Sequence, residues 1–379
     1  MNRWVYAFSM PDKIGKKRVK LIDFWTEELQ MQKLWCCSSA RVWGESAMFF
    51  GQDVVKLAFP ATEILRVYNS LLGVEYLPGR DYRHEPGTAC LVRPAGSQIP
   101  FLAKEKQFPA AEKCIFYPAP GHNAIPHGVD GRALIFDNQD FFARQQIEID
   151  YQAERIDFPL VISQQGDRLL RWRQKLSGGV RPLKLTFLGD SITYGYNASK
   201  VMGSAPWQPC YAELVQQELQ HAYGGEMVLC NRGVNGSGCR AALKEAEQWL
   251  PDCPDLLVIA YGMNDLTSMT PEQYADTIRE IMTLARKNHA DSEYLLVSPM
   301  SGNPLWLPTP PEQTAAFAKA LREIVAETPD AALADVQSFW TEFMQRKNFY
   351  DLTGNGVNHP NDYGHRIYAS VLLRVLGGV

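Results

Sequence analysis

Four short segments of this 379-residue chain hold residue types that could carry out acyl transfer, and they follow one another in a fixed order. The first is LTFLGDSITYG (185–195), an apolar run that breaks at Gly189-Asp190 and presents Ser191 immediately afterwards. A serine hydroxyl is a weak nucleophile and needs a base within hydrogen-bond reach. Between the end of a strand and the start of a helix, backbone N–H groups also favour a developing negative charge. The plainer reading of Ser191 is a helix cap. In the second segment, NRGVNGSG (231–238), Gly236 could bring a backbone N–H close to a ligand, or simply fill a turn. The third, YGMND (261–265), offers the Asn264 amide as a donor to a tetrahedral oxyanion, an interaction worth about 3–4 kcal/mol of barrier where it has been measured. Asn is equally common in turns. The fourth, NGVNHPND (355–362), contains His359, and imidazole is the usual base for a serine. Singly, each segment has a bland reading. Together they supply a nucleophile, oxyanion donors and a base.

The elements around these segments predict how they are positioned. Downstream of the Gly- and Pro-punctuated stretch LSGGVRP (176–182), apolar runs at 183–188, 227–230, 255–260, 294–298 and 332–336 read as strands. Between them, Tyr211, Leu214, Val215 and Leu219 recur at helical spacing, as do Tyr274, Ile278, Ile281 and Met282, and then Phe317, Leu321, Ile324 and Val325. TPEQ (270–273) and TPPE (309–312) both read as N-terminal capping boxes. Alternating strands and helices predict a parallel sheet covered on both faces, with ligands bound beyond the carboxyl ends of its strands. Upstream, the runs WVYAF, ARVWG, AMFFG, VVKLAF, EILRVYN, CLVRP, CIFYP, ALIFD and QIEIDY, separated by Gly, Pro, Asn and Asp, predict an antiparallel β-sandwich-like domain. DFWTEELQMQKLW (23–35) could instead be a helix, which leaves the first forty residues open between the two. The expected domains are thus residues 1–176 and 182–379.

Bulk composition narrows the function classes. With 46% apolar and 21% charged residues and a net charge of −4, the chain has an ordinary globular composition and no electrostatic footprint for nucleic acid or an anionic membrane. No apolar stretch approaches the ~20 residues that span a bilayer. The opening MNRWVYAFSMPDKIGKK lacks a continuous apolar signal segment. The eight cysteines, at 36, 37, 90, 114, 210, 230, 239 and 253, form no CxxC pair. The expectation is a cytoplasmic protein with reduced thiols and no structural zinc.

The blocks Gly189-Asp190-Ser191, Gly236, Gly262-Met263-Asn264-Asp265 and His359-Pro360 resemble those of the SGNH hydrolases, also called the GDSL esterase/lipase family, over residues 182–379. The resemblance implies a flavodoxin-like three-layer αβα fold with neither metal nor organic cofactor. It implies that Ser191 attacks an ester carbonyl and that His359 moves the proton. The N–H groups of Ser191 and Gly236 and the side chain of Asn264 would then hold the oxyanion. Two departures stand out. Ile192 replaces the last residue of the GDSL string, and Gly356 stands three residues before the histidine, where the family usually has Asp. The candidates for orienting His359 are then a backbone carbonyl, Asn355, Gly356 through its backbone, or Asp351, and a Ser-His dyad is as open as a triad. Asp362 is assigned to capping the last helix.

The NHPND string and the added β-rich region resemble the carbohydrate-active branch of that family, whose members remove acetyl groups from sugars. Tyr194, Tyr196, Trp207 and Trp306 fall in loops after strands, where they could stack on a sugar or wall a small acyl pocket, with Trp306 as a lid. The leading expectation is a small-acyl esterase acting on carbohydrate. Its competitors are a lipase or thioesterase with a longer acyl chain, an acyltransferase, and a binding protein with a degenerate site. Expected partners are limited to the ester substrate, with oligomerisation open. If residues 1–176 bind carbohydrate, disrupting them should harm activity on a large substrate more than on a nitrophenyl acetate.

Overall fold

The structure is a computed structural model that describes residues 34–36, 39–156, 165, 167–179 and 182–377. WVYAF (4–8) and all but the last two residues of 23–35 lie outside the described residues, as do 180–181 in the punctuated stretch.

The upstream strands are β1 (Trp35–Cys36), β2 (Arg41–Met48), β3 (Val54–Asn69), β4 (Val74–Tyr76), β5 (Arg83–His84), β6 (Thr88–Val92), β7 (Ala124–Ile125), β8 (Leu134–Ile135) and β9 (Gln146–Ala153). Seven of them form one antiparallel sheet in the order β1-β2-β9-β3-β6-β5, with β4 added on β3, while β7 and β8 pair separately. In β9 the side chains of Ile147, Ile149, Tyr151 and Ala153 are buried in alternation, the period-2 signature of a strand with one face covered. VVKLAF and EILRVYN fuse into the single strand β3. Pro60 lies between them, and the register against β6 shifts between Lys56 and Ala61, because proline has no N–H to give the ladder. CIFYP (114–118) makes only an isolated bridge, Phe116 to Ala124.

Helices from the C-terminal part pack on this sheet where a sandwich would place a second sheet. β2 contacts the helices Phe349–Leu352 and Asp362–Leu376. A buried ion pair marks the seam: Lys347 Nζ lies 2.7 Å from Glu45 Oε1 and 3.7 Å from Asp351 Oδ2. Glu45 also accepts from the Tyr151 hydroxyl and the Ala58 N–H, so its buried charge is fully hydrogen-bonded.

Downstream, β10 (Leu183–Gly189), β11 (Met227–Gly233), β12 (Leu256–Ala260), β13 (Glu293–Val297) and β14 (Ala331–Ala334) form a parallel sheet in the order β11-β10-β12-β13-β14. This is the 2-1-3-4-5 order of flavodoxin-like sheets. β13 and β14 are buried along their whole length, which explains the apolar runs at 294–297 and 331–334. The helices pair as Tyr211–Tyr223 with Asp362–Leu376, and as Pro271–Asn288 with Pro311–Glu327. The strand order reverses at β10, so the crevice beyond its carboxyl end is the place for a ligand.

Two capping assignments change. The box at Thr270 and Gln273 forms with both hydrogen bonds. At 309–312 it does not: Pro310 takes the cap position, and the Thr309 hydroxyl donates to the Trp306 carbonyl. The last helix is capped by Asn361, which accepts from Gly364 N, and not by Asp362.

Candidate active site

Ser191 lies two residues beyond the end of β10 and opens a one-turn helix, Ser191–Tyr194, capped by Asp190, whose carboxylate accepts from Ile192 N. The turn is tight. A β-carbon on Gly189 would overlap the Thr193 side chain, and one on Gly233, at the end of β11, would overlap the backbone of Tyr194. The serine is therefore held against two strand ends by the absence of side chains.

His359 comes from the loop that precedes the last helix, and its Nε2 lies 2.9 Å from Ser191 Oγ. Both residues are less than a tenth exposed. Burial, with the nearby His365 adding to it, pushes the imidazole pKa down to about 3, so the ring is neutral. Its Nδ1 lies 2.9 Å from Asn197 Oδ1. The Asn197 amide in turn donates from Nδ2 to Gly354 O at 3.2 Å.

Sequence reasoning missed Asn197, and none of its candidate side chains meets the imidazole. Asn355 shapes the loop instead: its Oδ1 accepts from the backbone N–H groups of Val357, Asn358 and His359, each at 3.0 Å. Asp351 faces the other way, accepting from Met48 N and Asn348 N and pairing with Lys347. Gly356 has φ +90°, and a β-carbon there would lie 2.5 Å from Phe142 Cζ. Its carbonyl accepts from Asn303 Nδ2 at 2.8 Å. The only hint in the sequence was that Asn tolerates a left-handed turn; Asn197 has φ +64°.

Hydrogen bonds chain the other two segments to the serine. Gly189 O accepts from Val234 N at 3.0 Å and from Ser237 Oγ at 3.3 Å, and Ser237 O accepts from Asn264 Nδ2 at 3.0 Å. The neighbouring Asp265 is buried and accepts from Cys239 N, locking the 236–239 turn against the Asn264 loop. Gly236 has φ +71° and open space around it, so its requirement is conformational. The structure thus brings Ser191, the Gly236 turn, Asn264 and His359 to one edge of the parallel sheet.

The aromatic residues divide. Tyr196 packs on the His359 ring at 5.6 Å between centroids, and Tyr194, 47% exposed, packs on Tyr196 at 5.5 Å. Trp207 is 52% exposed. Trp306 is not free to act as a lid, because its indole N–H donates to Pro126 O and its ring joins the cluster of Leu134, Phe136 and Val357. Among the described residues, no group of three or more His, Cys, Asp or Glu side chains is placed to hold a metal ion, and no helix is long and apolar enough to cross a membrane.

Residues 187–367 match the GDSL-like lipase/acylhydrolase family model, a span that contains Ser191, Gly236, Asn264 and His359. Among solved structures, the chain is similar to an acetylxylan esterase, Axe2, from Geobacillus stearothermophilus, with 22% identity and a TM-score of 0.43 over 52% of this chain and 94% of that one. It is also similar to LAE5, an alpha/beta hydrolase from the metagenome of Lake Arreo (21% identity, TM-score 0.43, 52% and 95% covered). A third is a GDSL-like lipase from Parabacteroides merdae (20% identity, TM-score 0.41, 52% and 95% covered). No curated protein matches the chain. Residues 187–367 thus form a GDSL-like lipase/acylhydrolase domain, the domain of a carboxylic ester hydrolase.

Proposed function

We propose that the protein is a serine esterase that removes small acyl groups, acetyl above all, from carbohydrate, with residues 182–379 as the catalytic domain and residues 1–176 as its accessory domain. The observation that carries the reading is the 2.9 Å contact between Ser191 Oγ and a neutral His359 Nε2. In this mechanism His359 accepts the hydroxyl proton as Ser191 attacks the ester carbonyl. The N–H groups of Ser191 and Gly236 and the Asn264 amide stabilise the oxyanion. The tetrahedral intermediate collapses, His359 gives its proton to the departing alcohol, and an acyl-enzyme remains. Water, deprotonated by the same imidazole, then releases the acid.

Two features favour a polyhydroxylated alcohol over an alkyl chain. A cleft of about 270 Å³ beside Asn264 is lined by Arg240, Lys244, Glu245, Asp265 and Ser268, a wall suited to hydroxyl groups. The half-exposed Tyr194 ring, packed on Tyr196 beside His359, offers a face for a sugar. Labelling with a fluorophosphonate tests the chemistry: the adduct should map to Ser191, vanish in Ser191→Ala and form far more slowly in His359→Ala. A chain-length series of nitrophenyl esters tests the acyl size. Faster turnover of long acyl chains than of acetate would sink the small-acyl part.

A further inference from the structure

We infer that Asn197 is the positioning residue that completes a Ser191-His359-Asn197 arrangement, a neutral amide standing in the place where an acid would orient the histidine. The inference rests on the serine-esterase reading above and adds a part to it.

A histidine that takes a proton from serine must present a bare Nε2, so its proton must sit on Nδ1. That tautomer needs an acceptor at Nδ1, and Asn197 Oδ1 lies there at 2.9 Å. An amide can be read in two orientations, but its other partner settles which one applies here. Gly354 O is a pure acceptor and lies 3.2 Å from Nδ2. Turning the amide over would set two oxygens against each other. It would also aim an N–H at Nδ1, driving the proton to Nε2 and blocking the serine. Only one orientation satisfies both neighbours, and it is the productive one.

The geometry also explains why no acid lies three residues before the histidine. Position 356 has a left-handed backbone, and its side-chain space is taken by Phe142 Cζ at 2.5 Å and Ile135 O at 2.8 Å. A carboxylate has no room there. The orienting group comes instead from the loop behind the nucleophile, 162 residues earlier in the chain.

A neutral partner has a chemical consequence. From the 191–199 segment the imidazole meets the Ser191 hydroxyl, the Tyr196 ring and the Asn197 amide. From its own loop, Asn355 binds its backbone. From the last helix, His365 bears on its charge, while Asp362 is turned to Ser199 N. The imidazolium formed during proton transfer therefore has no anion at Nδ1. The base stays unprotonated to lower pH than an Asp-paired histidine does, and its charged form is less stabilised.

The test uses the full chain. Asn197→Ala should lower kcat on nitrophenyl acetate by roughly a hundred-fold or more with little change in KM, up to the ~10⁴-fold penalty seen when a histidine is held in the wrong tautomer. Asn197→Asp should restore much of that activity and move the acid limb of kcat/KM to higher pH. An Asn197→Ala enzyme within about three-fold of wild type, or an Asn197→Asp enzyme with an unmoved limb, overturns the inference. Should either variant fail to fold, 15N NMR of His359 in the wild-type protein reads the tautomer directly: a proton on Nδ1 supports the inference and one on Nε2 overturns it. Failure of the wild type to take a fluorophosphonate at Ser191 would bring down the esterase reading, and this inference with it. Normal labelling with indifferent Asn197 variants would bring down this inference alone.

Discussion

The Gln146 side-chain amide, at the first residue of β9, donates to the Thr353 carbonyl at 2.7 Å and so ties the antiparallel sheet to the loop that carries His359. The same amide donates to Tyr350 O at 2.9 Å, and its Oε1 accepts from Asn361 Nδ2 at 3.0 Å, so one buried side chain grips both ends of that loop. Gln146→Leu keeps the volume and strands these groups, at about 1–3 kcal/mol for each one left without a partner. We expect a lower urea midpoint and a fall in kcat that is the same for nitrophenyl acetate and for a bulky glycosyl acetate. Equal losses mark the antiparallel region as a support for the histidine, in contrast to the substrate-size effect expected of a carbohydrate-binding accessory. Wild-type turnover in this variant would remove that role.

The parallel strands were legible because a strand buried on both faces is apolar along most of its length, as in Leu256–Ala260 and in 294–297. The meeting of Ser191 and His359 was legible because a serine that is to act as a nucleophile needs an imidazole within hydrogen-bond reach. Asn197 was not, because its partner is 162 residues away and its own surroundings read as an ordinary turn. The cap of the last helix failed by one residue for a tertiary reason. Asn361 and Asp362 are both good N-caps, and the choice is made by Ser199 N, a tertiary partner that draws the Asp362 carboxylate away.

Asp190 supplies a pH test of stability. Burial, with the charge of Asp265 adding to it, raises its carboxyl to about 7. Its folded pKa lies above the unfolded value near ~3.9, so its contribution is full below that pH and is lost as pH rises through about 7. Asp190→Asn keeps an oxygen for Ile192 N and removes the charge. The variant should gain stability relative to wild type between pH 4 and pH 7, with the difference level above that range. His359 and His365, lowered to about 3 and about 4, act in the opposite sense, losing their contribution as pH falls below ~6.5, but they are common to both proteins and cancel in the difference. Urea denaturation at three pH values reads this. A difference independent of pH would show that Asp190 is already ionised in the folded state at pH 4.

Tyr194 tests the substrate class. Its ring packs at a tilt against Tyr196, which backs the His359 imidazole, and nearly half of its surface is open. A sugar ring on that face would gain about 0.5–1.5 kcal/mol, which corresponds to a two- to ten-fold effect on affinity. Tyr194→Ala should raise KM for an acetylated sugar by that factor and leave KM for a short alkyl acetate unchanged. Parallel changes for both esters would argue that Tyr194 only packs.

Gly354 tests the orientation of the histidine from the opposite side. A β-carbon at position 354 would overlap the β-carbon of Asn197 and lie 2.8 Å from its Cγ. The backbone of Gly354 lies outside the left-handed region, so alanine is excluded there by space alone. Gly354→Ala must therefore push Asn197 away from the imidazole without touching Ser191, provided that the Gly354 N–H keeps its 2.8 Å bond to the His359 carbonyl. The expected outcome is the kcat loss of Asn197→Ala, with fluorophosphonate labelling slowed to match. Because both changes break the same contact, the double variant should be no slower than the worse single one, a strongly non-additive cycle. Losses that simply multiplied would mean that Gly354 acts through the loop as a whole, and that the Asn197 amide is not the link between that glycine and the base.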